Sequence, residues 1–556
     1  MNLKNEVCLV LNNLSNYNNL DNLLTESIDS SKGDFCLPCF SLAKELKKSP
    51  MVIAEDIASS LNLENSCIEK VEVVAGYVNF FLNKIETTKK VLNEAINIKK
   101  KNNNKTVCID YCSVNLAKYM HIGHLKNCFL GESLARLFEI NGYNVVRINY
   151  IGDYGTPYGK IIAGISLYGS EEDIQNRGID ALQEYYVKFN AAEENDENLA
   201  QLARDISKKI EDKDAEIYPI YERVINIAIK EAERLLDILG IKFDSWKGEA
   251  SYSQDLNNVV EFLKSKNLLT KSQGALVVDL SNFDMTPCLI QRSDGASLYA
   301  TRDIAAAIDR YKEYAFDKCL YLTGVEQKLH FAQFFKVLDL AGVPFANGLE
   351  HIAYGRFSLP TGKISSRRGK QAVLVDLIDY VLNKAKDVIV DRTFTIEKPE
   401  DVAMKVAKGV LAFNALNIER HKDAIFDIER AFSFEGETSP YMQYTYTRIM
   451  SILRKAKTTT EEADYSCLND EYAFALIKGC CNIQKVIDLA LEKRDPSLIL
   501  KHTMDICKTL NKFYSVCKVI DGTTLQINAK VKLIAKVKES LDILFNLLCI
   551  DTIQEM

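Results

Sequence analysis

Apolar and polar residues change rhythm three times along this chain of 556 residues. Up to about residue 98, short mixed segments end in Val71-Glu72-Val73-Val74-Ala75-Gly76-Tyr77-Val78-Asn79-Phe80-Phe81-Leu82. That alternation predicts two strands turning at Gly76. Lys99-Lys100-Lys101-Asn102-Asn103-Asn104-Lys105 follows, a polar run with nothing to pack, and reads as a linker. From Thr106 to about Leu382, short apolar runs alternate with helical periods, which predicts a parallel sheet flanked by helices. Its first unit is a strand over Thr106–Tyr111 and a helix over Leu125–Ile140. Within this block, about 171–239 is highly charged and helical, an insertion on the sheet. Beyond about Pro399 only helical periodicity remains, at Ala403–Asn417, Tyr441–Lys457, Glu471–Leu491, Ile499–Val519 and Val531–Leu548. A bundle is the natural way to bury such faces. The chain thus divides into a small α+β block (1–98), an α/β block (106–382) and an all-α bundle (399–556).

Charge and cysteine usage narrow the setting. A net charge of −7 argues against indiscriminate coating of nucleic acid, although a global average can hide a basic face. One local excess stands out: lysines 501, 508, 512, 518, 530, 532, 536 and 538 against only Asp505 and Asp521. A solvated helix face accounts for it, and so does a docking stripe for a phosphate backbone. Fifteen cysteines without a disulfide framework suit a reducing cytosol. Cys36-Leu37-Pro38-Cys39 has C-x-x-C spacing, but zinc needs two more ligands, and Cys67, Cys108 and Cys112 are isolated. Buried, inert thiols are the expectation. Residues 1–20 are too rich in asparagine for a secretory segment. No apolar run approaches the roughly 18 residues of a membrane span. No membrane association and a cytoplasmic location are expected.

The chemistry concentrates where the first strand of the α/β block meets its helix, in Asn115-Leu116-Ala117-Lys118-Tyr119-Met120-His121-Ile122-Gly123-His124. A helix N-terminus offers unpaired amides and the positive end of a dipole, so anions settle there. Gly123 lets the backbone approach a flat or charged ligand closely. Histidines spaced i, i+3 at that end can both donate to one phosphate group. Far downstream, Thr361-Gly362-Lys363-Ile364-Ser365-Ser366-Arg367-Arg368-Gly369-Lys370 is a glycine-, serine- and cation-rich loop able to fold over a polyphosphate.

An H-x-G-H turn paired with a K-x-S loop resembles the class I aminoacyl-tRNA synthetases, which implies a Rossmann-type catalytic domain. Neighbouring residues resemble the arginyl-tRNA synthetase family in particular. They include Ser113-Val114-Asn115-Leu116-Ala117-Lys118 and Arg147-Ile148-Asn149-Tyr150-Ile151-Gly152-Asp153-Tyr154-Gly155-Thr156-Pro157-Tyr158-Gly159. So do Asp294-Gly295-Ala296-Ser297-Leu298-Tyr299-Ala300-Thr301-Arg302-Asp303-Ile304-Ala305-Ala306 and Gly324-Val325-Glu326-Gln327-Lys328-Leu329-His330-Phe331. Phe432-Ser433-Phe434-Glu435-Gly436-Glu437-Thr438-Ser439-Pro440-Tyr441-Met442-Gln443-Tyr444 resembles the family's helical anticodon-binding domain. Gly33-Asp34-Phe35 and Gly76-Tyr77-Val78-Asn79-Phe80 resemble its appended N-terminal domain, which would contact the tRNA elbow.

The resemblance implies a ligase that joins arginine to ATP as arginyl-adenylate, releasing pyrophosphate, and then moves arginine to the 3′-terminal ribose of tRNA(Arg). Its partners would be tRNA(Arg), L-arginine and ATP with Mg²⁺, its own metal ligands none, and its simplest state a monomer. Arginine activation is expected to need bound tRNA. His121 and His124 would donate to the ATP phosphates and Gly123 would make room for adenosine. Lys363 would neutralise the departing pyrophosphate, with Ser365 and Arg367 on the same loop against ATP. A planar guanidinium with a fixed fork of donors calls for a carboxylate partner. The resemblance makes that partner Asp303, with Tyr299 beside it; the two are spaced i, i+4 and share a helix face. Gln327 would add a polar contact, and Asp110 and Asn115 would hold the α-amino group and nearby backbone atoms.

The chain departs from the common K-M-S-K-S loop, having Ser366 where the second lysine belongs. Lys118, just upstream of the histidines, is one replacement and Arg367 the other. Val114 stands where proline is usual and Tyr154 where tryptophan is usual; neither change removes a reacting group. Three other readings compete. A cysteine-specific relative needs a zinc set that the spacing does not supply. A catalytically silent tRNA-binding paralogue has no need of His121, His124, Lys363 and Asp303. Small nucleotidyltransferases of the H-x-G-H superfamily are shorter and have no helical bundle.

Overall fold

Residues 3–14, 17, 19–27, 29–98, 103–293, 299–360, 373–390, 398–456 and 462–556 are described by a computed structural model of the chain. Strands β1 (Thr25–Glu26), β2 (Phe35–Pro38), β3 (Ile68–Val74) and β4 (Tyr77–Leu82) form an antiparallel sheet in the order β1-β2-β4-β3. The β3–β4 turn runs through Ala75 and Gly76 at φ 50° and 82°, a left-handed pair suited to a tight hairpin. Cys36 lies on β2 and Cys39 just past it. Both are free, and burial pushes the Cys39 thiol up to about 11.

The α/β block opens with β5 (Thr106–Asp110), β6 (Asn144–Ile148) and the crossover helix Ile122–Ile140 between them. Val107, Cys108 and Ile109 are wholly buried, as a parallel strand covered on both faces requires. A three-stranded antiparallel sheet follows: β7 (Leu269–Ser272), β8 (Ala275–Val278) and β9 (Cys288–Gln291). Alternation of strands and helices did not predict it; Gln273 and Gly274, both at positive φ, make its first turn. Strands β10 (Lys318–Gly324) and β11 (Leu349–Tyr354) then complete a parallel sheet in the order β11-β10-β5-β6. The chain steps from β5 to one side and returns on the other. That reversal opens a crevice at the carboxyl ends of β5 and β10, where ligands bind in such sheets.

The crossover helix is buried on nearly every side, because the sheet covers one face and helices Pro399–Leu416 and Thr524–Leu547 cover another. A Cβ on its Gly131 would come within 2.2 Å of the Tyr111 ring, so only glycine fits against β5 there. Buried Glu132 is held by Tyr111 (3.0 Å), Arg136 (2.7 Å) and Arg147 (2.9 Å). The charged insertion folds as helices Glu171–Arg177, Ile179–Glu193, Glu197–Glu211 and Ile217–Leu239.

The bundle comprises Pro399–Leu416, Ser439–Ala456, Glu471–Cys481, Ile483–Lys493, Ser497–Val516 and Thr524–Leu547. The segment predicted as one helix over Glu471–Leu491 is two, meeting at Asn482. The lysine-rich stretch is not one open stripe. Lys508 pairs with Glu437, Lys538 pairs with Asp542, and Lys530 caps the carbonyls of Lys518 and Asp521. Lys532 donates to Asn93, and Lys536 to the Glu94 carbonyl. The last two contacts belong to a seam that fastens the N-terminal block to the bundle. Tyr465 to Asn93 (2.9 Å), Ile96 N–H to Glu539 (2.9 Å), Lys478 to Asp34 (3.2 Å) and Lys485 to Glu26 (2.8 Å) complete it. Among the described residues no helix is long and apolar enough to cross a membrane.

Candidate active site

A cleft of about 610 Å³ opens at the strand-order reversal, lined by Ser113, His121, Gly123, His124, Thr323 and Gln327 among others. Just past β5, Cys112 and Ser113 both take left-handed φ, 71° and 46°, which turns the chain sharply under the histidines. Asn127 stitches the floor. Its Oδ1 accepts from Cys112 N–H (2.8 Å), while its Nδ2 donates to the Leu322 carbonyl (2.9 Å) and to Tyr354 (3.0 Å).

The crossover helix starts at Ile122, three residues before the predicted start, because the histidines cap it themselves. His121 is the N-cap, and its Nδ1 accepts from Gly123 N–H at 3.1 Å. His124 Nδ1 accepts from His121 N–H at 3.0 Å. Its longer approach to the His121 carbonyl, 3.3 Å, yields to that bond, since an amide can only donate. A Cβ on Gly123 would lie 2.8 Å from the His121 ring, so the glycine serves the cap as well as any ligand. With both Nδ1 atoms accepting, each neutral ring carries its proton on Nε2. Burial, then the neighbouring His121, hold His124 down at about 3. Burial and the Lys118 charge lower His121 as well. At neutral pH the pair therefore offers two N–H donors, not two fixed cations.

Lys118 is exposed beside His121, close enough for its charge to be felt there. Lys363, Ser365 and Arg367 lie outside the described residues. Both ends of their loop are nevertheless placed. Ser358 and Leu359 line the cleft, Val373 bridges to His121, and Leu374 N–H donates to the Met120 carbonyl at 2.8 Å.

The residues expected to hold arginine part company. Asp110 is almost wholly buried, and Arg310 donates to its Oδ2 at 2.8 Å while Ser113 donates to Oδ1 at 3.2 Å. Asn115 is exposed, its Oδ1 accepting from Ala117 N–H (3.0 Å) in a turn beside Gly152. Gln327 is exposed on the cleft with the histidines. Tyr299 heads helix Tyr299–Tyr314 and is exposed; Asp303 lies one turn on, partly buried, its Oδ2 2.6 Å from His330 Nε2. Burial first, with the Asp303 charge among the further causes, raises Asp110, Tyr150 and Glu249.

Glu249 was not foreseen. Burial first, then Asp303, raise it to about 7, with Arg302 opposing and Asp153 adding. Arg302 is itself buried, with its guanidinium stacked 3.7 Å over the Tyr154 ring. Among the described residues neither Asp303 nor Glu249 is salt-bridged to a lysine or arginine. The Asp303 and Arg302 charges thus act on Glu249 in opposite senses, beneath the larger effect of its burial. Glu249 sits in a 3₁₀ turn after Gly248, with no periodicity to mark it, so only the fold brings it under the Asp303 charge.

Comparison with known proteins agrees with this geometry. Residues 87–428 match the family described as tRNA synthetases class I (R), catalytic domain. Residues 442–556 match the DALR anticodon binding domain, and residues 1–82 the arginyl tRNA synthetase N terminal domain. The arginine–tRNA ligase of Clostridium perfringens is 38% identical over 547 residues, covering 97% of this chain and 96% of that one. That of Clostridium botulinum strain Alaska E43 is 40% identical over 538 residues, covering 95% and 94%. The solved arginyl-tRNA synthetases of Thermus thermophilus (TM-score 0.82, 22% identity, 100% and 99% covered) and Plasmodium falciparum (0.79, 23%, 100% and 98%) share its fold. A histidine-capped crossover helix at the strand reversal of a parallel sheet, followed by a helical domain, is the build of the class I aminoacyl-tRNA synthetases. Within that class, the chain belongs to the arginyl-tRNA synthetase family.

Proposed function

We propose that the chain acts as a single polypeptide in the cytoplasm, activating L-arginine with ATP and transferring it to tRNA(Arg). The observation that supports the arginine assignment is the partly buried Asp303, fixed by His330, whose negative charge is felt at Glu249. A guanidinium can meet a carboxylate with parallel N–H···O bonds, which a compact ammonium cannot reproduce. His330 fixes Asp303; Tyr299, one turn before it, and Gln327, on the histidine cleft, are assigned to border the ligand.

In the first step an arginine carboxylate oxygen forms a bond to the α-phosphorus of ATP as the bond to the pyrophosphate oxygen breaks. Charge grows on the phosphoryl oxygens, so catalysis is positioning and electrostatic stabilisation. The Nε2–H groups of His121 and His124 supply donors without a charge to neutralise first. Lys118, Lys363, Ser365 and Arg367 are assigned to the phosphates, with Lys363 on the leaving pyrophosphate. Mg²⁺ would arrive with ATP, bound to phosphate oxygens and water. Among the described residues no group of three or more His, Cys, Asp or Glu is placed to hold a metal. In the second step a ribose hydroxyl of the tRNA attacks the mixed anhydride carbonyl and AMP leaves.

ATP–pyrophosphate exchange with each amino acid, with and without tRNA, tests the reading. Exchange is expected with arginine alone among the amino acids and only when tRNA is present. Asp303→Ala should abolish it while ATP binding by equilibrium dialysis persists. Exchange driven by another amino acid, or undiminished turnover in Asp303→Ala, would break the pocket assignment.

A further inference from the structure

Lys126 follows His124 by two residues on the crossover helix and is only 1% exposed. Its Nζ donates to two backbone carbonyls, Lys422 at 2.8 Å and Gly355 at 3.2 Å. Gly355 belongs to the cleft wall that runs from β11 toward the Lys363 loop. Lys422 belongs to the segment that joins helix Pro399–Leu416 to the rest of the bundle. These two stretches form a short parallel ribbon of their own, with Phe357 opposite Ala424 and Ser358 opposite Ile425. Gly355 N–H donates to the Arg420 carbonyl (2.9 Å), Arg356 N–H to Asp423 (2.8 Å), and Phe426 N–H to the Ser358 carbonyl (2.8 Å). The fit is close: a Cβ on Gly355 would lie 2.4 Å from the Lys422 carbonyl carbon.

A buried ammonium is costly unless its hydrogen bonds organise something. Here the cost is visible: burial pushes Lys126 down to about 8 even with Asp423 and Asp495 nearby. What it organises is the join between three parts that are distant in sequence. They are the helix that carries the histidines, the Gly355–Ser358 wall of the cleft, and the entry to the bundle.

We propose that Lys126 is a positioning residue that holds the Gly355–Ser358 wall in register with His121 and His124. It also ties that wall to the 420–426 segment, so a disturbance at the bundle reaches the phosphate end of the cleft. The inference rests on reading the cleft as the ATP site. Lys126 itself touches no substrate, and its effect falls on ATP handling rather than on the arginine pocket.

The test uses the full-length chain and arginine-dependent ATP–pyrophosphate exchange in the presence of tRNA. Lys126→Met keeps the apolar stem and removes the donors. A misplacement of the wall predicts a kcat loss of about 10- to 100-fold and a raised KM for ATP, with KM for arginine within about twofold. Lys126→Arg restores two donors and should recover to within about threefold of wild type. Gly355→Ala wedges the same ribbon from the other side and should give the same split. Wild-type kinetics in a folded Lys126→Met chain overturns the proposal. So does a loss that falls on KM for arginine, or an Arg variant no better than the Met variant. Should Lys126→Met fail to fold, Gly355→Ala decides: the split supports the proposal and unchanged kinetics overturns it. A wild-type chain with no arginine-dependent exchange at all would fell the functional reading first, and this proposal with it.

Discussion

Acidity should weaken arginine binding in a way that one side chain accounts for. With Glu249 at about 7 in the empty pocket, about a tenth of it is ionised at pH 6, half at pH 7 and nine tenths at pH 8. The guanidinium does not titrate in this range, so binding it must expel the Glu249 proton when one is present. Affinity follows the ionised fraction: KM for arginine should be about nine- to tenfold higher at pH 6 than at pH 8, or roughly 1.3 kcal/mol. The measurement is KM for arginine in the exchange assay at pH 6, 7 and 8, beside Glu249→Gln. That variant mimics the protonated acid, so its KM should start high and stay flat, meeting wild type at the acid end. The sign for folding runs the other way. Because the native carboxyl keeps its proton to higher pH than the unfolded one, stability of the ligand-free protein falls as pH rises from about 4.5 to 7. Saturating arginine lifts that penalty and should raise Tm more at pH 8 than at pH 5. A flat wild-type KM between pH 6 and 8, or a slope that survives in Glu249→Gln, would refute the reasoning.

Other side chains give independent tests. His124→Ala should lower kcat for adenylate formation about 10²- to 10³-fold with KM for arginine little changed. Since His124 is held near 3, wild-type kcat should show no acid limb near 6.5 that vanishes in this variant. Lys118→Ala should slow adenylate formation far more than Arg367→Ala; the opposite ranking in single-turnover measurements would give the phosphate role to Arg367. Gly131→Ala, which forces a Cβ to within 2.2 Å of the Tyr111 ring, should destabilise by about 1–3 kcal/mol, read as a lower denaturation midpoint. Little change in that midpoint would show that β5 and the helix yield more easily than their packing suggests.

Local rules made the elements legible and left the long-range pairings hidden. The β3–β4 hairpin, β5 and the charged helices of the insertion follow from alternation, an unbroken apolar run and amphipathic spacing. The helix start at Ile122 escaped because His121 is not a usual cap residue; its imidazole does what serine or aspartate ordinarily does. The break at Asn482 escaped because apolar periodicity continues across it. The Arg310 partner of Asp110 stayed hidden because it is 200 residues away. Glu249 carries no motif or periodicity that would mark it in the sequence. Spacing puts Tyr299 and Asp303 on one helix face, whereas the effect of the Asp303 charge on Glu249 emerges only in the folded chain. Lysines along two helices look like one stripe until their tertiary partners, Asn93, Glu94 and Glu437 among them, are in place.

The seam between Asp34, Asn93, Glu94 and Ile96 on one side and Lys478, Tyr465, Lys536 and Glu539 on the other closes the polypeptide into a ring, clasped near its two ends. Opening that clasp would bare buried lysine stems and aromatic surface at the far end of the bundle. Shortened forms of the chain that lack the first ninety or so residues should therefore suffer in solubility and cooperative unfolding, even with every substrate-facing group retained.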